Sequence, residues 1–137
     1  MFKVIAGSAV SLLVSSCGSD FIHDERLAGP YRLVAVDTME QMSLCRDIDP
    51  SGSCAGDGLA GETLFAAGAN NRFIALAIHP NGDRTRTDFY YLVRSAREAD
   101  DGGRGAVLKG PLDERSFAEA KARLDLPRFS RVFSNLK

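Results

Sequence analysis

The chain lacks tryptophan, has two histidines and five prolines, and carries no excess of either charge. Its 17 Lys and Arg nearly balance 18 Asp and Glu, for a net charge of -1. That leaves no basic footprint for nucleic acid, which is set aside as a partner. It also leaves no polybasic attraction to anionic lipid. Neither His23 nor His79 stands at ligand spacing to a cysteine, which argues against zinc. No segment reaches the roughly 20 apolar residues of a membrane-spanning helix. No serine lies in a Gly-x-Ser-x-Gly elbow, and no internal repeat is visible. What is present is globular in composition, 45% hydrophobic and 26% charged. The 137 residues suffice for one domain.

The most distinctive segment is Met1 to Asp20, MFKVIAGSAVSLLVSSCGSD. Lys3 opens it, an apolar run of about 11 to 13 residues follows, and small residues close it, the three parts of an export signal. An ordinary secretory signal would be cut at a small-x-small site, which Ser15, Ser16 and Gly18 could imitate. A cysteine at the site favours a different processing. The run Val14-Ser15-Ser16-Cys17 resembles the lipobox of bacterial lipoproteins. That resemblance implies that the Cys17 thiol receives a diacylglyceryl group and that cleavage leaves Cys17 as the first mature residue. The new amine then takes an acyl chain such as palmitate. One chain binds membrane only marginally, at about 0.8 kcal/mol per buried methylene, whereas two or three make a lasting anchor. Gly18 follows the cysteine where Asp would retain a Gram-negative lipoprotein in the inner membrane. The resemblance therefore implies the outer membrane, facing the periplasm. The expected organisation is a lipoprotein signal peptide over 1–16, a lipidated tether over 17–30 and a single β-rich domain over 31–137.

Three cysteines are present, Cys17, Cys45 and Cys54. With Cys17 lipidated, an even pair is left in an oxidising compartment, where a disulfide is permitted. A Cys45–Cys54 bridge would close a loop of about ten residues, roughly 2.5–3 kcal/mol in the chain-entropy model. Two reduced thiols are the alternative; the bridge is the expected state.

Along the domain, Gly29-Pro30 marks a boundary. Tyr31–Asp37 reads as a strand and Met42–Cys45 as its partner. Residues 46–61 read as loop. Strands follow at Thr63–Ala67 and Arg72–His79, separated by Gly68-Ala-Asn-Asn71; the second is apolar on both faces. Pro80-Asn81-Gly82-Asp83 predicts a type I′ hairpin, leading into a strand over Thr85–Arg94. A short strand at Ala106–Lys109 precedes a helix capped by Asp113 and stopped by Pro127. Phe117, Ala120 and Leu124 share one helical face, and Glu119 with Arg123 forms an i,i+4 pair. Phe129, Val132 and Phe133 are expected to pack back on the sheet. The predicted fold class is α+β: an antiparallel sheet of about five or six strands with one C-terminal helix. This order of strand, Gly-Ala-Asn-Asn, His-Pro, Tyr-Tyr strand and Gly-Pro-Leu-Asp before a helix is similar to small bacterial lipoproteins of unknown function. The likeness covers residues 30–133 and brings no activity.

Candidate chemistry is sparse. Asp47, Asp49 and Ser51 match the opening of a calcium loop. Gly58 stands where the twelfth-position Glu should be, Pro50 is awkward inside the loop, and a self-bonded turn explains the same residues. His79 fits better as a donor to a loop carbonyl than as a base, and Asp100-Asp101 as a solvated loop than as paired catalytic carboxylates. Arg84, Arg86, Tyr90 and Arg94, predicted on one strand face, form the best interaction surface, with a solvated outer face as the alternative. No cofactor is implied. The expected function is a non-enzymatic envelope lipoprotein that binds another envelope component. Its rivals are an inhibitor or immunity lipoprotein, a hydrolase with dispersed site residues, and a purely structural part of the envelope.

Overall fold

The computed structural model describes residues 21–56 and 58–137. The leader, with Cys17, lies outside the described residues, as does Asp57. Strands β1 (His23–Ala28) and β2 (Tyr31–Ala35) form a hairpin, joined by β3 (Ser43–Asp47) and the short β4 (Cys54–Ala55). Next come β5 (Leu64–Ala69), β6 (Phe73–Ile78) and β7 (Asp88–Val93). A single-turn helix α1 (Glu98–Asp101), strand β8 (Val107–Leu112), helix α2 (Glu114–Leu124) and strand β9 (Arg131–Val132) complete the chain.

These elements make two antiparallel sheets, β1-β2-β3-β4 and β8-β7-β6-β5-β9. The broad expectation of an antiparallel α+β domain with a C-terminal helix holds; the single sheet of five or six strands does not. The reason lies in β6, Phe-Ile-Ala-Leu-Ala-Ile, which is buried at all six positions. A strand apolar on both faces needs a layer on each side, and one helix covers only one. The first sheet supplies the other. Leu33 and Leu44 from it, with Met42 just before β3, pack with Ile74, Leu76 and Leu92 of the second. On the opposite face, Phe73 and Ala75 meet Phe117 and Ala120 of α2, with Leu126 beyond its end.

Strand β1 falls in the stretch expected to be tether. Its pairing His23↔Ala35 and Arg26↔Arg32 makes Gly29-Pro30 a hairpin turn instead of a domain boundary. Asp24 and Arg26 point outward while His23, Glu25 and Leu27 are half-buried, a period of two hidden by the charged composition.

The turn Pro80–Asp83 has the expected local form. Asn81 and Gly82 have φ +54° and +72°, and the Asp83 N–H donates to the Pro80 carbonyl over 3.0 Å. It does not make a tight hairpin, because pairing resumes only at Ile78↔Asp88. Strand β7 therefore starts at Asp88 rather than Thr85.

Helix α2 begins where predicted. The Asp113 carboxylate accepts the Ser116 N–H at 2.7 Å. The helix ends before Pro127, with Asp125 left-handed at φ +56°. Its i,i+4 ion pair is Arg115–Glu119, at 3.5 Å. Past the helix, the tail crosses β5 at Gly68. A Cβ there would stand 1.7 Å from the Arg128 carbonyl oxygen, so only glycine permits the crossing. The tail buries Phe133 and Leu136 in the core between the sheets. Cys45 and Cys54 are joined in a disulfide, stapling the β3–β4 loop.

Candidate functional site

Helix α2 packs over β7, β8 and the Phe73–Ala75 half of β6, and leaves the end of β5 and β6 that carries Ala66 and Ala77 uncovered. There Ala66 and Ala77 oppose one another across the strands. Two methyl side chains at one register position leave a hollow. It forms a groove of about 540 Å³ whose walls include Phe65, Phe89 and Phe129. The size lies within the usual range for ligand pockets, about 300–1,000 Å³. Phe89, Phe117 and Phe129 stack on one another, with ring centroids 4.8, 5.8 and 6.4 Å apart. This wall is rigid because its rings are fixed by each other and by α2.

The rim is charged. Asp113 and Glu114, at the start of α2, face Thr87, Val132 and Lys137. Hydrogen bonds from the Ser116 backbone and side chain hold the Asp113 carboxyl below the ordinary carboxylate range, so it is ionised at neutral pH. The two acids outweigh the single lysine. The groove is thus an apolar slot with an acidic edge, suited to an apolar side chain carried next to a cation.

His79 supports this wall without lining it. Its ring stacks on Phe65 at 4.2 Å. Its Nδ1 lies 2.6 Å from the Arg86 carbonyl oxygen, which fixes the proton on Nδ1. Nε2 is buried with no hydrogen-bond partner. The expected bond to a loop carbonyl is present, and it ties the β6–β7 connection to the sheet.

The calcium-loop residues are engaged otherwise. Asp47 accepts from Arg32 Nε at 2.7 Å and from Arg26 Nη1 at 2.6 Å. Arg32, almost fully buried, also donates to Asp24 Oδ2 at 2.6 Å and to the Gly52 carbonyl. These charge-assisted bonds organise the outer face of the first sheet. Asp49 accepts the Ser51 N–H at 2.9 Å and the Ser51 hydroxyl, closing a turn on itself. Those bonds hold its carboxyl below the usual range. Among the described residues no three His, Cys, Asp or Glu side chains gather as a metal site. Asp101, expected in a solvated loop, sits at the end of α1 and accepts from the Ser95 hydroxyl and the Gly103 N–H.

The surface predicted from Arg84, Arg86, Tyr90 and Arg94 is dispersed. Arg84 and Arg86 are exposed in the β6–β7 connection. Arg84 donates to the Asn135 carbonyl at 2.9 Å; Arg86 lies 3.8 Å from Asp88. Tyr90 packs against the core between the sheets, where burial raises its hydroxyl pKa. Arg94 follows β7 and is held by Glu98 and by the Asn70 carbonyl at 2.8 Å. The early start assigned to β7 put Arg84 and Arg86 on the strand, while Tyr90 and Leu92 do share a face, which turns to the core between the sheets.

The groove itself was missed. Its one sequence signal is the pair of alanines, and only the strand register shows that they meet. Among the described residues no helix is long and apolar enough to cross a membrane. The chain matches no protein-family model, no curated protein and no solved structure.

Proposed function

We propose that this is an envelope lipoprotein, anchored by lipid on Cys17 in the outer membrane, whose domain is a non-enzymatic binding module. The groove receives an apolar side chain of an envelope protein, with a neighbouring Lys or Arg on that partner meeting Asp113 and Glu114. The observation that carries the reading is the combination of a stacked aromatic wall, an alanine floor and an acidic rim in one groove. The lipobox-like leader and the paired cysteines support the envelope address.

The test is a photoreactive residue at Thr87 on the rim, activated in intact envelopes. The expected result is one stoichiometric protein adduct, reduced at least tenfold when Val132→Asp is added. Val132 is 42% exposed, so that substitution leaves the melting temperature nearly unchanged. An adduct unaffected by Val132→Asp refutes the groove. Turnover of an envelope polymer by the purified protein refutes the non-enzymatic reading in favour of a hydrolase. A captured lytic enzyme that loses activity on binding identifies an inhibitor.

A further inference from the structure

We infer that the end of the first sheet bearing Ile22 and Val36 rests on the lipid leaflet; the inference depends on the lipoprotein reading of Cys17. The Ile22 N–H donates to the Ala35 carbonyl at 2.9 Å, one residue out of the His23↔Ala35 register, and so brings Ile22 to the Ala35–Val36 peptide. Ile22 and Val36 are thus near one another and both turn to solvent, whereas His23, paired with Ala35, lies edge-on to Phe133, 5.2 Å away in the core tail. Ile22 is 54% and Val36 45% exposed, an adjacent pair among the few large apolar side chains left to solvent.

The position of the pair selects the occupant. Five residues separate Cys17 from Ile22, and extended chain reaches at most about 3.6 Å per residue. A lipid on Cys17 thus holds Ile22 within about 18 Å of its own attachment point. A domain of this length has a radius of gyration near 13 Å and a breadth of about 34 Å. The leash is about half that breadth, so faces near Ile22 can touch the leaflet and the far side cannot. The far end of β1 meets α1, where a side chain at Gly29 would run into Glu98; it lies about 20 Å along the strand. Arg84 belongs to the near end through its bond to Asn135, two residues past Phe133. Asp37 follows Val36, so the rim is mixed in charge, which fits zwitterionic headgroups. The contact is weak in itself. It acts because the anchor keeps the surface and the leaflet together.

The experiment uses the full protein purified from membranes and reconstituted into phosphatidylethanolamine–phosphatidylglycerol vesicles containing brominated lipid. Ile22→Cys, Val36→Cys and, on α1, Ala99→Cys each provide one free thiol for an environment-sensitive dye, because Cys17 is acylated and Cys45 and Cys54 are bridged. Intact mass is measured first. Acyl mass on Cys17 with quenching at 22 and 36 at least threefold above that at 99 is the expected result. Acyl mass with equal quenching at all three positions overturns the leaflet contact alone. Absence of acyl mass overturns the anchor and the contact with it.

Discussion

Asp113 serves two structures at once. Its carboxylate caps α2, and the same group stands on the groove rim. Because hydrogen bonds from Ser116 depress its pKa in the fold, the ionised form stabilises the native state above the ordinary carboxylate pKa of about 3.9. That contribution fades as pH falls through the lower folded value. Asp113→Ala should therefore lower the melting temperature at pH 7, and the gap from wild type should narrow at pH 3. Thermal melts followed by far-ultraviolet circular dichroism at both pH values check this; a gap that widens in acid contradicts it. Asp113→Asn, which retains a capping oxygen, should recover most of the loss at pH 7. The cap was legible in the sequence because capping needs only neighbours in the chain. The roles of Arg32 and Asp47 were not, because their bonds join different strands.

Among the elements, β5 and the tail pair at Ala66↔Val132 and Ala67↔Arg131 and approach most closely at Gly68. Gly68→Ala would place a methyl against the Arg128 carbonyl. Neither backbone can yield without moving a buried strand, so we expect a loss of about 3 kcal/mol or more, near the upper end for overpacking. Urea unfolding of the variant reads this directly; a midpoint within error of wild type contradicts the close crossing. Elements with a sustained period were readable: β6 as a run apolar on both faces, α2 as a capped amphipathic stretch. Strands β4 and β9 were not, since two residues carry no period. Strand β1 was hidden by charge on its outward half. The connection after β6 misled because the turn Pro80–Asp83 is correct locally while strand pairing resumes farther along. The groove depends on register, which a one-residue slip would erase, so the sequence shows its alanines without showing their meeting.

At the scale of the whole molecule, the described residues form three layers, with the second sheet between the first sheet and α2. The C-terminal tail binds these layers together: Arg131 Nε donates to Glu25 Oε1 at 2.6 Å, and Phe133 and Leu136 fill the inter-sheet core. Each of those two side chains is worth about 2–5 kcal/mol when removed from a core. Together they approach the whole stability of a typical domain, about 5–15 kcal/mol. Ending the chain after Ser130 should abolish cooperative unfolding, seen as loss of the near-ultraviolet Tyr signal and of a sharp calorimetric transition. A truncated protein that melts sharply near the wild-type temperature would show the tail to be dispensable.

The middle strand also carries a hazard. Phe-Ile-Ala-Leu-Ala-Ile has no charge, no proline and no glycine over six residues, a composition that stacks between chains as cross-β. One of its two covers, α2 with the segment after it, is made from chain synthesised after the strand itself. Until that part arrives, the strand best suited to build the domain is equally suited to bind a second unfinished copy. The late C-terminal cover is therefore a guard against aggregation as well as a wall of the groove.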